Sequence, residues 1–400
     1  MMKIGILREG KVPPDERVAL TPGQIKQISK DHPNLEIVVK RSDIRRIKDV
    51  EYEDAGVQLV DNVQDCDILI GVKEVPLSEL IPKKTYFFFS HTIKMQPYNK
   101  ELLQTVCDQG ITLIDWECLT AQNRNRIIGF GRYAGIVGTY NGLRAYGLKH
   151  KLFDLKKAHD CADREELEKE LLNVKLPAIK ILLSGGGKVA HGALEVLESL
   201  KIREIGIEDY LRQTYDEPVF CRIDFSDYLV RRDGNAFDTK AYYVNPEDHV
   251  SYFMRFAKVT DAFISGHYWD SRAPFLFTRE DVRSPDFKIQ LVADISCDID
   301  GPVATTLRPS TIEDPFYGYD PMNELETTFD APGAITVMAV DNLPCELPRD
   351  ASKDFGEMFI GGVLPALVNG DADGILAGGS ITRNGEIAEQ FSYLKEWLAS

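Results

Sequence analysis

The apolar positions of this chain fall into two kinds of run. Nearly unbroken apolar stretches recur at Lys3–Leu7, Leu35–Val39, Asp67–Val72, Tyr86–Phe89 and Ile111–Ile114, the pattern of parallel strands buried on both faces. Between them, one helix is expected to begin at Thr21-Pro22, a capping residue followed by proline at a first helical position, and another to cover Pro97–Asp108. The stretch Phe130–Leu148, rich in Gly, Ala and Tyr, predicts a closely packed helix crossing into a second unit. Asp160–Lys175 predicts a solvated helix. Ile179–Leu183, Ala262–Ser265, Gln290–Ile295 and Ala334–Val340 predict further buried strands, whereas Asp350–Val368 and Ile387–Leu398 have helical periodicity and no new strand pattern. That tail is expected to return to the first unit. The alternation predicts an α/β chain of two doubly wound Rossmann-like domains separated by an interdomain cleft, with ligands near the carboxyl ends of the strands. Residues 1–132 plus 342–400 are expected to form a substrate domain and 133–341 a dinucleotide-binding domain.

The most specific local signal lies after the strand at Ile179–Leu183. There Ser184-Gly185-Gly186-Gly187-Lys188-Val189-Ala190 opens a helical pattern carried by Val189, Ala193, Val196, Leu197 and Leu200. Strand, glycines and helix come in the order of a dinucleotide-binding turn, fitting G-x-G-x-x-A at Gly185, Gly187 and Ala190. Small residues let the backbone turn sharply and aim helix N-terminal amides at a pyrophosphate. A nicotinamide cofactor, NAD(H) or NADP(H), is therefore expected. Glu204, Glu208 and Asp209 lie about 20 residues beyond the glycines, the spacing for a ribose-binding acid, but Arg203 and Arg212 would suit a 2′-phosphate. Both preferences stay open.

Composition narrows the partners. A net charge of -16 excludes the basic surface that sequence-independent nucleic-acid or acidic-membrane binding needs. The opening apolar run is soon followed by Arg8 and Glu9, too short for a signal-peptide core or a span, and the expected location is cytoplasmic. Seven dispersed cysteines without a C-x-x-C pair suggest reduced thiols and no structural zinc. Asp294–Gly301 superficially resembles a calcium loop, but it follows a strand and has Thr305 where the closing glutamate belongs, so no metal is expected.

Lys73 ends one strand run and His91 follows another. A lysine and a histidine facing one crevice depress each other's proton affinity and make a proton-transfer pair. Arg17 follows the first strand, placed to hold a substrate carboxylate, and Glu117 is placed for a substrate ammonium. Lys94 and Arg132 add cations suited to a ligand with several carboxylates. Tyr268 and Trp269 follow a strand and either edge a nicotinamide site or pack between domains. Asp341 either caps a helix or touches the cofactor.

These segments together resemble the lysine-forming saccharopine dehydrogenases and lysine-ketoglutarate reductases, within the wider alanine dehydrogenase/transhydrogenase-like group. The resemblance rests on Glu16-Arg17-Val18-Ala19-Leu20-Thr21-Pro22, Gly71-Val72-Lys73-Glu74, Ser90-His91, Gly129–Gly135, Gly266-His267-Tyr268-Trp269 and Asp341–Pro348. It implies that Lys73 and His91 are the acid/base pair, and that Arg17 binds a carboxylate. Glu16 and Glu117 would lie near the substrate, Lys94 in the cleft and Asp341 near the nicotinamide. Arg132 departs from the family pattern, which has an aromatic or an amide there. The implied reaction joins L-lysine to 2-oxoglutarate as an imine and reduces it with a nicotinamide cofactor to saccharopine. An alanine-dehydrogenase-like enzyme using pyruvate and ammonia, and a silent dinucleotide-binding protein, are the competing readings. Physiological direction and oligomeric state are not encoded in any motif.

Overall fold

The computed structural model describes residues 2–11 and 14–400; Met1 of the opening apolar run lies outside them. The chain divides into two compact units, residues 1–130 with 348–400, and residues 131–347.

The first unit is built on six parallel strands: β1 (Met2–Ile6), β2 (Leu35–Lys40), β3 (Gln58–Val60), β4 (Ile68–Lys73), β5 (Thr85–Phe89) and β6 (Thr112–Asp115). Their order is β3-β2-β1-β4-β5-β6. Consecutive connections therefore run in opposite directions from the β1/β4 boundary, and a crevice opens there at the carboxyl ends. β4 and β5 are buried almost throughout, which explains their unbroken apolar sequences. Helix α1 (Pro22–Asp31) starts where the sequence signals it: Thr21 and Gln24 form a reciprocal capping box ahead of Pro22. Helices α2 (Asp49–Asp54) and α3 (Lys100–Asp108) follow. The helix Pro348–Gly362 packs on this unit; Ser352 Oγ accepts from the Val18 amide at 2.9 Å, and Phe355 and Phe359 enter its core. The tail also holds a short antiparallel ribbon, Thr382–Arg383 against Glu386–Ile387, which periodicity did not reveal.

The second unit opens with α4 (Gly131–Lys149), then α5 (Arg164–Leu171), β7 (Lys180–Ser184), α6 (Lys188–Ser199), β8 (Arg203–Glu204), α7 (Ile207–Arg212) and β9 (Val219–Ile223). An arm follows, made of α8 (Phe225–Tyr228), β10 (Leu229–Arg231), α9 (Thr239–Val244) and β11 (His249–Ser251). The sheet is completed by β12 (Ala262–Ser265), β13 (Leu291–Asp294), β14 (Phe316–Asp320), β15 (Leu325–Thr327) and β16 (Ile335–Met338). Its order is β15-β14-β16-β13-β12-β7-β9-β8, parallel from β16 to β8 and extended by antiparallel β14 and β15. This sheet is mixed, and both units are α/β. Helix α4 is buried nearly all round, as a helix with no polar face must be. Its glycines permit that burial: a Cβ at Gly135 would overlap the Val189 carbonyl of α6, and one at Gly192 would overlap the Arg132 carbonyl. No helix among the described residues is long and apolar enough to cross a membrane.

Candidate functional site

In the first unit the carboxyl ends of β1, β4, β5 and β6 converge on one cluster of ionisable side chains. Lys73, the last residue of β4, pairs in register with Phe89 of β5, and His91 follows two residues later. His91 takes a left-handed backbone conformation (φ 55°) and its ring lies over Phe89, 15° from parallel with centroids 6.3 Å apart. Burial, then the charges of Lys73 and Lys94, lower the His91 imidazole to about 4. Burial, then the Arg17 and Lys11 charges, lower the Lys73 ammonium from its ordinary value. Each group therefore releases its proton more readily than in water.

Three buried carboxyl groups that the sequence reading passed over hold this pair. Glu9 accepts from the Val72 amide at 2.7 Å and the Lys73 amide at 2.8 Å, where the β4–β5 register shifts. Burial, with Asp15 nearby, raises its carboxyl to about 8. Asp15 grips Arg17 through two charge-assisted bonds, Nε to Oδ1 at 2.9 Å and a terminal nitrogen to Oδ2 at 2.6 Å. Burial works against ionisation of Asp15, yet the Arg17 charge and hydrogen bonds outweigh it and hold the carboxyl at about 2. Asp115 accepts from both the amide and the hydroxyl of Ser90 and from the Glu117 amide, fixing the loop that carries His91. Burial raises its carboxyl to about 6.

Arg17 is buried, and its guanidinium lies 4.1 Å from the ring centroid of Phe130, which stacks on Phe355. Its charge is already matched by Asp15, so a ligand carboxylate would meet a neutralised pair. Glu16 lies apart from that pair, half-exposed and 3.8 Å from Arg46. Glu117 is paired with Arg126 at 3.0 Å and Lys94 at 3.8 Å, and its Oε2 is buried without a partner. Glu74 beside Lys73 holds Lys11 at 2.8 Å and likewise keeps Oε2 buried and unpartnered. Both carboxylates face His91 closely enough to favour its protonation. The cluster thus offers two buried acceptor oxygens next to a lysine and a histidine, a fit for a ligand ammonium.

In the second unit, β7 and β12 flank the point where connections reverse. Gly185 follows β7 with φ +108°, and a side chain there would strike the backbone of Gly266, which follows β12. Only glycine meets both demands. Gly185, Gly186, Gly187, Lys188 and Val189 line a cavity of about 560 Å³ together with Asp224, Phe225, Tyr243, Gly266, His267 and Tyr268. Space above Gly187 is open to 4 Å, so a ligand can approach its backbone. His267 is buried and held at Nδ1 by Ser184 at 2.7 Å; burial keeps it neutral with its proton affinity lowered to about 4. Its Nε2 is buried without a partner. These features fit a dinucleotide: an open glycine cradle at the start of the long helix α6, and a spare polar atom in the wall.

The acid next to the cradle differs from the sequence expectation. Glu204 sits on the edge strand β8, and Glu208 pairs with Arg212 on α7; neither they nor Asp209 line the cavity. The reason is topological. β9 inserts between β8 and β7, so the carboxylate at the end of the strand beside the glycine turn is Asp224. A Cβ on Gly186 would lie 2.9 Å from Asp224 Oδ2, while Oδ1 accepts from the Phe225 amide. Arg132 is engaged by Glu195 of α6 at 2.6 and 2.9 Å, and Arg164 pairs with the same carboxylate. Tyr268 lines the cavity, whereas Trp269 packs edge-on against Phe275 at 5.9 Å. Asp341 is exposed after β16, and Asn342 occupies the cap position of the following turn. Asp294 has its oxygens engaged by Ser296, Thr306 and the Cys297 amide, which leaves the calcium-like loop without its first ligand.

Residues 5–137 match the family described as alanine dehydrogenase/PNT, N-terminal domain. The mitochondrial α-aminoadipic semialdehyde synthase of Mus musculus is 30% identical over 434 residues, covering 96% of this chain and 46% of that protein. This chain thus spans about half the length of such relatives. The saccharopine dehydrogenase (NAD(+), L-lysine-forming) of Schizosaccharomyces pombe is 26% identical, covering 90% of this chain and 91% of its own. Among solved structures, an L-alanine dehydrogenase superposes with TM-score 0.65 at 17% identity, covering 99% and 100% of the two chains. A transhydrogenase from Sinorhizobium meliloti gives 0.59 at 16%, covering 96% and 98%. Residues 5–137 thus carry an alanine dehydrogenase/PNT N-terminal domain, and over nearly its whole length the chain is similar to α-aminoadipic semialdehyde synthases and saccharopine dehydrogenases, with the fold of an alanine dehydrogenase.

Proposed function

We propose that this chain is a nicotinamide-dependent oxidoreductase interconverting saccharopine with L-lysine and 2-oxoglutarate. The observation that carries the reading is the Lys73/His91 pair, both with lowered proton affinity, set beside the unpartnered oxygens of Glu74 and Glu117. Such a cluster suits a substrate that brings both an amine and an acid. Neutral His91 takes the proton shed by the nitrogen as the amine adds to the ketone and returns it to the carbinolamine oxygen, giving the hydroxyl. The Lys73 ammonium gives a proton to the hydroxyl that leaves as water. Glu74 and Glu117 hold the amino group, and Lys94 meets the acid end, while the neutralised Arg17–Asp15 pair walls the cluster. Glu16 stays at the rim of the set, and Arg132 secures the cofactor helix through Glu195.

Hydride for imine reduction would come from a nicotinamide cofactor when bound. Gly185, Gly186, Gly187, Lys188 and Val189 would hold its pyrophosphate, and Tyr268, with Asp341, its nicotinamide half; Trp269, packed on Phe275, would anchor the loop that carries Tyr268. Asp224 favours NAD(H), because a 2′-phosphate would face its carboxylate. The test compares NADH and NADPH oxidation with L-lysine plus 2-oxoglutarate against pyruvate plus ammonia. Turnover with the lysine pair and NADH is expected. Turnover only with pyruvate and ammonia would assign an alanine-dehydrogenase-like activity, and cofactor binding without either turnover would make the chain a silent dinucleotide binder.

A further inference from the structure

A doubly wound unit needs only one helix between consecutive parallel strands. Between β9 and β12 this chain instead places the arm of α8, the β10/β11 hairpin and α9. Its interior is aromatic. Tyr228 and Tyr242 are buried; Tyr242 meets Phe225 at 4.8 Å, Phe237 at 5.9 Å and the His249 ring at 5.4 Å. Residues adjacent on a helix cannot both face inward, and Tyr243, next to Tyr242 on α9, is 57% exposed. Exposure alone would be ordinary. Here, however, the exposed ring lies edge-on to Phe225, with centroids 6.4 Å apart and planes 83° apart, and both line the cavity above the glycine turn.

The order of groups around that cavity identifies what such a wall would meet. The glycine turn is the anion cradle, and Oδ2 of Asp224 stands beside Gly186. Phe225 follows Asp224 directly, and Gly266, His267 and Tyr268 lie at the end of β12, on the other side of β7. An acid at the end of the strand next to the turn takes the hydroxyls of the adenosine ribose. The half of a dinucleotide that passes Asp224 is therefore the adenosine half, and its base arrives at Phe225 and Tyr243.

We infer that the arm is a purine-recognition element, with Tyr243 the face on which the adenine ring stacks and Phe225 its support. This assignment rests on the dinucleotide reading above. Base-on-aromatic stacking changes affinity by roughly tenfold or more when the ring is removed. Calorimetric titration of the full chain with NADH, ADP-ribose and nicotinamide mononucleotide tests it. Tyr243→Ala is expected to weaken NADH and ADP-ribose together by about tenfold, with nicotinamide mononucleotide unchanged. Tyr243→Phe should bind all three like the wild type, and Tyr243→Leu, which keeps apolar bulk without a π face, should behave like the alanine variant. Unchanged NADH and ADP-ribose affinity in Tyr243→Ala, full affinity in Tyr243→Leu, or equal weakening of all three probes overturns the role of Tyr243. Wild-type protein that binds neither NADH nor ADP-ribose overturns the dinucleotide reading itself, and this assignment with it.

Discussion

Replacing Asp15 by asparagine removes one charge from a buried ion pair while keeping the side chain's shape. In the folded chain Asp15 sits at about 2 against an ordinary 3.8, because Arg17 outweighs the cost of burial. A carboxyl with a lowered folded value stabilises the native state above its unfolded value, and that contribution disappears as pH falls through the folded one. The shift corresponds to about 2 kcal/mol, fully present at neutral pH and lost between roughly pH 4 and pH 2. The substitution also takes the carboxylate charge away from the Arg17 guanidinium, which is 1% exposed; removing one partner of a buried pair costs about 3–5 kcal/mol. The second figure is the larger because the buried guanidinium then lacks the carboxylate charge that neutralised it. The substituted asparagine retains an oxygen that still accepts from Arg17, so the expected loss lies between the two, at about 3 kcal/mol. Urea denaturation at pH 7 and pH 3, followed by tryptophan fluorescence, measures it. The gap between wild type and Asp15→Asn should narrow at pH 3. A loss below about 1 kcal/mol at pH 7, typical of exposed pairs, or a gap that widens in acid, would refute the reasoning.

Three further outcomes follow from the geometry. Asp224→Asn keeps the acceptor for the Phe225 amide but removes the charge facing a 2′-phosphate, so NADPH should gain about tenfold in affinity relative to NADH; an unchanged ratio in titration would count against Asp224 as the discriminating group. Gly192→Ala sets a methyl against the Arg132 carbonyl and must push α6 from α4, costing about 1–3 kcal/mol; the thermal midpoint should fall by several degrees, and an unshifted midpoint would mean the helices are not in close backbone contact. Because His91 is held near 4, it stays neutral from pH 5 to 8 by this account. The profile of kcat/KM for the lysine and 2-oxoglutarate pair should then show no bend near 6.5, and a bend there that vanishes in His91→Gln would contradict the shift.

Much of the fold was legible because its central strands are buried on both faces and read as unbroken apolar runs. The Thr21-Pro22 start of α1 was legible because capping is local chemistry. β9 and β14 were not. Val219–Ile223 carries Arg222 inside the run, and Phe316–Asp320 mixes aromatics with Gly318 and ends in a charge, so neither stands out by hydrophobicity. Missing β9 also misplaced the ribose acid, since a fixed spacing from the glycines assumes that the next strand in sequence is the neighbour in space. In the first unit, Lys73 and His91 were visible as polar residues ending apolar strands. Glu9, Asp15 and Asp115 were invisible because their meaning is in partners elsewhere along the chain, such as Glu9 with the Lys73 amide 64 positions away. A carboxylate in a loop has no periodicity to betray its burial.

The most direct test is NADH turnover with L-lysine and 2-oxoglutarate by wild type and by the Lys73→Met/His91→Gln double variant, alongside NADH titration of both. Loss of about two or more orders of magnitude in turnover, with NADH affinity unchanged, is the predicted result. Wild-type turnover in the double variant would contradict the assignment of proton transfer to Lys73 and His91.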